Sequence, residues 1–209
     1  VSHELEKFKE RPPLQIINGG DGIHQHPTQA LLDLFTMNEI GFNPAGRTIA
    51  IIGDCIHSRV GHSLIDLIPQ FGGKIILCGP HECIPDKSPH PDISLSTDLS
   101  EVLHKADILY TLRIQKERHK EKADYYETYN SKFGITLERL NQFNKKKPVF
   151  HPGPANIGIE VDLAVMKSPH YIGYQQVINS VYMRMAIMKA MLLTPWPKNH
   201  PDLTEFYEN

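Results

Sequence analysis

The segment Gly20 to Leu34, GDGIHQHPTQALLDL, places a histidine, a proline and a glutamine where a strand turns into a helix. Pro27 suits the first position of a helix, because its missing N–H would have no partner there anyway. Ala30, Leu31 and Leu34 then supply an apolar face at helical spacing. His26 stands at the mouth of this helix, and Gln29 lies one turn on, on the same side. A helix N-terminus carries partial positive charge and suits anionic or polarised oxygen atoms. The same field disfavours an imidazolium, so His26 is expected to stay neutral and donate a hydrogen bond. The plainer alternative is a His-Pro helix cap beside a core helix. Two arginines could add carboxylate recognition. Arg59 opens a helix after a strand, and Arg113 ends a strand. The planar guanidinium fork can bind a carboxylate through two bonds. The alternative for each arginine is a surface salt bridge.

These residues need a scaffold, and the chain supplies βα alternation. LQIING (14–19) reads as a strand leading into the HPTQ helix. RTIAIIGD (47–54), KIILCGP (74–80), DILYTLRI (107–114) and PVFHPGP (148–154) read as buried strands. Helices are expected from Ser58 to Phe71, from a capping-box-like start at Asp98 to Lys105, over ITLERLNQF (135–143), and from Gln175 to Leu193. Continuous apolar strands between helices argue for a parallel sheet covered on both faces, an α/β fold of three layers. The segments Asp54–Arg59, Arg113 and His151–Pro154 each follow a strand, and open α/β sheets bind ligands beyond the carboxyl ends of their strands. No GxGxxG turn is present, so a dinucleotide site is not expected.

Four blocks in a fixed order, HPTQALLDL, GDCIHSRVGHS, LYTLRIQKER and HPGPANIG, resemble the transcarbamoylases. HPTQ, RIQKER and HPGP are similar to the aspartate rather than the ornithine members. The HPCQ, HCLP and SMG motifs of the ornithine enzymes do not occur. The resemblance implies a Rossmann-like transcarbamoylase fold that moves a carbamoyl group from carbamoyl phosphate to the amino group of L-aspartate, in de novo pyrimidine synthesis. It implies His26 as a donor to the carbonyl oxygen and Gln29 as an acceptor for the carbamoyl NH₂. Arg59 and Arg113 would grip the α- and β-carboxylates, with Gln115 on the same face as Arg113. The backbone carbonyls of Pro152 and Gly153 would accept from the carbamoyl NH₂ and the attacking amine. The resemblance further implies a cis Gly153–Pro154 bond. Lys116, Glu117 and Arg118 read as a solvated ion-pair network that positions the following loop.

The same resemblance implies a homotrimer with sites shared between subunits and allows regulatory chains as further partners. It divides the chain into the tail of a carbamoyl-phosphate domain (1–25), an interdomain helix (26–41), an aspartate-binding domain (42–174) and a C-terminal helix and tail (175–209). The family's phosphate-binding Ser-Thr-Arg-Thr-Arg turn is missing from these 209 residues, as are the serine and lysine that a neighbouring subunit inserts. We therefore expect residues 1–209 alone to show no appreciable activity, and apolar residues of the last helix (Met183, Ile187, Met188, Leu192) to be exposed. Ile157 stands where many relatives carry arginine. A transcarbamoylase with another acceptor, and a catalytically silent assembly subunit, remain open alternatives.

The bulk charge leaves the binding of anionic substrates to locally placed arginines. The net charge of −2 gives no global field for nucleic acid or a membrane surface. Three cysteines form no even framework and suit a reducing cytoplasmic setting. Cys78, His81 and Cys83 are irregularly spaced with no evident fourth ligand, so no metal is expected, and no other cofactor. No signal peptide or membrane span is read from the sequence.

Overall fold

The computed structural model describes residues 17–114, 123–143 and 146–193. Residues 18–183 form one compact unit, and Ile17 with 184–193 belong to a second. In the second unit Met185, Met188, Leu192 and Leu193 are exposed. Of the apolar residues expected at the surface of the last helix, Met183 and Ile187 are half-buried. Everything that follows concerns the first unit.

Five strands form one parallel sheet: β1 (Thr48–Ile52), β2 (Lys74–Cys78), β3 (Ile93–Ser96), β4 (Ile108–Thr111) and β5 (Val149–Phe150). Their order is β3-β2-β1-β4-β5. Among the described residues the α-helices are α1 (Pro27–Glu39), α2 (Arg59–Leu67), α3 (Leu99–Lys105), α4 (Ala123–Phe133), α5 (Leu137–Leu140), α6 (Leu163–Met166) and α7 (Gly173–Leu193).

The strands are apolar throughout because both faces are covered. Successive side chains alternate across a strand. Ile49, Ile51, Ile75, Leu77, Ile108, Tyr110 and Phe150 face one cluster, with Ala30 and Met37 of α1 and Val60 and Leu64 of α2. Ala50, Ile52, Ile76, Cys78, Leu109 and Val149 face the other, with residues of α3, α4, α5 and α6. The expected three-layer α/β/α arrangement is therefore present. Leu64 is fully buried, and truncating such a side chain to alanine costs about 2–5 kcal/mol.

Several local expectations are corrected. Residues 17–19 are not a strand; a tight turn closed by an Asp21–Gln25 bridge leads into α1 instead. The strand expected over 107–114 stops at Thr111. ITLERLNQF is helical only over Leu137–Leu140, because Ile135 pairs with Val161 in a bridge. Three elements were not anticipated: β3, α4 and α6. β3 reads I-S-L-S, an edge strand of only four residues. The helix expected from Ser58 continues as a 3₁₀ turn over Pro69–Phe71 and ends at Gly72 in the left-handed conformation.

Strand order decides where a ligand can sit. β1 is followed in sequence by its neighbour β2 on one side and flanked by β4 on the other, so the winding direction reverses between β1 and β4. A crevice opens at such a reversal, beyond the carboxyl ends of the two strands.

Candidate active site

The segments leaving β1 and β4 flank that reversal. Leu112 donates its N–H to Ile52 O at 2.8 Å, so the chain stays beside β1 after β4 has ended. Arg113 follows, half-buried, and Arg59 begins α2 on the β1 side, also half-buried.

The approach to Arg59 is held by its own residues. Asp54, buried at the end of β1, accepts the His57 backbone N–H at 3.2 Å and His57 Nδ1–H at 2.8 Å. Ser58 caps α2 by accepting from Gly61 N–H at 3.0 Å. The Arg59 guanidinium then lies against the Cα of Gly20. A Cβ at Gly20 would meet Arg59 Cζ at 2.8 Å, and Gly20 has φ +129°. Among the described residues no carboxylate pairs with Arg59, so the surface salt-bridge alternative does not describe it.

The HPTQ turn is fastened to α2. His26 N–H donates to Ser63 Oγ at 2.8 Å, and Ser63 in turn donates to Gln25 Oε1. Gln25 Nε2 donates to Asp66 Oδ2 at 2.7 Å. His62 Nδ1–H donates to the carbonyls of Ile23 and His24 at 3.0 and 3.1 Å. His26 occupies the N-cap position and Pro27 the first turn, but the imidazole makes no cap to the helix. Instead Nδ1 lies 3.3 Å from Thr28 Oγ1. With the Thr28 hydroxyl donating to Nδ1, the ring proton resides on Nε2, the outer nitrogen.

Gln29 is oriented from behind. Its Nε2 donates to Asp33 Oδ1 at 3.0 Å, one helical turn on. A carboxylate only accepts, so the amide must present its NH₂ end to Asp33, leaving its carbonyl end for another donor. Asp33 is fully buried and accepts two further donors, Tyr110 OH at 2.7 Å and Gln176 Nε2 at 2.7 Å. Burial, then the adjacent Asp33 charge, pushes the Tyr110 phenol well above its ordinary pKa, so it remains a donor. Gln176 Oε1 accepts the backbone N–H of His151 at 2.8 Å. One polar chain thus runs from Gln29 through Asp33 and Gln176 to the first residue of HPGP.

HPGP follows the two-residue strand β5 and contains a cis Gly153–Pro154 bond. Gly153 has φ +68°, a conformation that favours glycine. Its N–H donates to His151 Nδ1 at 2.9 Å. That bond places the His151 proton on Nε2, which lies 3.3 Å from Glu160 Oε1. The same oxygen accepts Asn156 N–H at 2.6 Å. Asn156 Nδ2 donates to Ile114 O at 3.0 Å, fastening the turn to the segment after β4. Pro152 is half-buried and Gly153 exposed. Gln115, with Lys116, Glu117 and Arg118, lies outside the described residues.

The structure thus brings His26, Gln29, Arg59, Arg113, Pro152 and Gly153 to segments tied to one another at the carboxyl edge of the sheet. Sequence reasoning missed the residues that hold them: Asp33, Tyr110, Gln176, Asp54, His57, Glu160 and Gly20. Only Asp33 carried a signal, as a charged residue spaced four from Gln29 on the same helix.

A doubly wound parallel sheet with polar and cationic groups gathered at its winding reversal defines an open α/β protein, a class whose ligands bind at that edge. The family model for the aspartate/ornithine carbamoyltransferase Asp/Orn-binding domain matches residues 45–191, and that for the carbamoyl-P-binding domain matches residues 1–39. The chain belongs to the aspartate/ornithine carbamoyltransferase family. It is 40% identical over 189 residues to an aspartate carbamoyltransferase catalytic subunit from Syntrophobacter fumaroxidans, covering 90% of this chain and 62% of the relative. An aspartate transcarbamoylase from Trypanosoma cruzi in complex with phosphate superposes with a TM-score of 0.76 at 32% identity, covering 90% of this chain and 62% of that one. The same enzyme in complex with aspartate and phosphate gives 0.71 at 34% identity, covering 90% and 60%. The chain therefore spans about three-fifths of the length of these relatives.

Proposed function

We propose that the protein transfers a carbamoyl group from carbamoyl phosphate to the amino group of L-aspartate, giving N-carbamoyl-L-aspartate and phosphate. The observation that carries this reading is the pair Arg59 and Arg113 on either side of the β1/β4 reversal, beside the helix mouth that holds His26. Two cations suit the two carboxylates of aspartate. The solved relative in complex with aspartate and phosphate supports the same choice of ligands.

In this reading the amine nitrogen attacks the carbamoyl carbon. A C–N bond forms, the bond from that carbon to the phosphate oxygen breaks, and the departing phosphate takes the amine proton. The carbonyl oxygen gains negative charge on the way. His26 Nε2–H donates to it, a contribution of roughly 3–4 kcal/mol where the donor is well aimed. Gln29 Oε1 and the carbonyls of Pro152 and Gly153 accept from the carbamoyl NH₂ and the incoming amine. Arg59 holds the α-carboxylate, and Arg113 with Gln115 holds the β-carboxylate. Catalysis is then orientation and electrostatics, with no side chain needed as general base. A homotrimer with shared sites, regulatory chains as optional partners, a cytoplasmic setting and a role in pyrimidine synthesis belong to the same proposal and rest on the family resemblance. Residues 42–174 would be the aspartate-binding domain, with the flanking segments completing the carbamoyl-phosphate side.

The test is an acceptor profile of the intact protein with carbamoyl phosphate. Carbamoyl aspartate should be the main product. Preference for ornithine or another amine would replace the acceptor, and no transfer to any amine would leave the silent-subunit reading.

A further inference from the structure

Asp33 is a buried anion that the chemistry above does not use, although three side chains from three elements converge on it. Gln29 comes from its own helix, Tyr110 from β4 and Gln176 from α7. Burying a carboxylate is costly unless donors surround it, and here they do. The geometry is directional as well as stabilising. Both glutamines turn their NH₂ ends to Oδ1, which fixes where their carbonyl ends point. One carbonyl, on Gln176, takes the backbone N–H of His151. The other, on Gln29, is the acceptor assigned above to the carbamoyl NH₂.

We infer that Asp33 is a positioning residue that sets the two groups reading the carbamoyl NH₂, the Gln29 carbonyl and the turn that opens at His151, as one unit. This rests on the proposed function. Asp33 would thus determine the preference for an NH₂-bearing acyl phosphate over one bearing a methyl group of similar size. Without Asp33 the Gln29 amide can turn over and offer a donor to a donor. A site built to accept an N–H discriminates through that bond, and a methyl group neither makes nor misses it.

The experiment compares carbamoyl phosphate with acetyl phosphate in the intact protein, with aspartate as acceptor. Acetyl phosphate is followed by turnover or, where turnover is too slow, by competitive inhibition against carbamoyl phosphate. Asp33→Ala should lower the ratio of carbamoyl to acetyl preference about tenfold, the effect of one lost hydrogen bond. Asp33→Asn keeps one acceptor oxygen but loses the charge, and should lower the ratio about threefold. It decides the question if the alanine variant does not fold. A wild-type ratio in every folded Asp33 variant would overturn the positioning role. Failure of the unmodified protein to carbamoylate aspartate would instead overturn the proposed function.

Discussion

Gln176 Nε2 lies 2.7 Å from Asp33 Oδ1, joining residues 143 positions apart in sequence. The bond makes the HPTQ helix and the start of α7 parts of one polar core. Asn179 extends the seam by donating to Thr36 Oγ1 at 2.9 Å, where both residues are buried. Rigid support of this kind is what a site relying on orientation requires, since small misplacements are expensive.

His26→Ala in the intact protein should lower kcat about 10²–10³-fold, as loss of an oxyanion donor does. Substrate affinity should change less, because the charge develops only in the transition state. NMR of the imidazole nitrogens should find the ring proton on Nε2, since Nδ1 faces the Thr28 hydroxyl. A proton on Nδ1 alone would leave Nε2 an acceptor and exclude the proposed donor role.

Arg113→Ala should raise the aspartate KM and lower kcat, with a total cost of about 2–5 kcal/mol for a desolvated charge pair. Carbamoyl phosphate binding measured without aspartate should barely move. Arg113→Lys should recover only part of the loss, since an ammonium lacks the planar fork. Equal weakening of both substrates would remove Arg113 from the acceptor side.

Gly20→Ala tests Arg59 without touching it. The new methyl would collide with the guanidinium, at a φ of +129° that disfavours any side chain. A displaced cation should lower kcat/KM for aspartate about tenfold or more. If only the melting temperature falls and kcat/KM for aspartate stays at wild type, Arg59 does not hold the substrate carboxylate.

Glu160→Ala should destabilise the protein by about 2–4 kcal/mol, because the His151 Nε2–H and Asn156 N–H both lose their acceptor. Glu160→Gln keeps an acceptor for both and should cost clearly less. Urea melts of the two variants supply the comparison, and equal losses would mean that the carboxylate acts through its charge.

The thiols give an alkaline prediction. Burial, then the charges of Asp98 and Glu101, pushes Cys78 up to about 12. Burial, then Asp54, pushes Cys83 up to about 11. The unfolded thiols release their protons near pH 9.0 while the folded ones still hold them. Stability from this source is therefore complete below about pH 9 and declines as pH rises toward 11 and 12. Thermal melts between pH 8 and pH 11 should show the decline (all three thiols are free and buried). Cys78→Ala should flatten it, and an unchanged slope would mean that other groups cause it.

The sequence by itself determined the layers. Continuous apolar runs such as TIAII and KIILC can be stable only when both sheet faces are covered. It also located the two turns at the edge of the sheet, because His26-Pro27 and HPGP are local backbone chemistry read from neighbouring residues. Sequence failed where an element is too short for its period to stand out. β3 is four residues with two serines, and it is a strand only because β2 offers its edge. Tertiary structure alone decided the strand order, and with it the reversal between β1 and β4 that puts Arg59 beyond one strand and Arg113 beyond the other. It alone decided the supporting polar groups too. Tyr110 and Gln176 are unremarkable polar residues along the chain, and Asp33 shows only its spacing from Gln29. Burial together is what makes each one's hydrogen bonds obligatory, and so fixes which way the Gln29 amide faces.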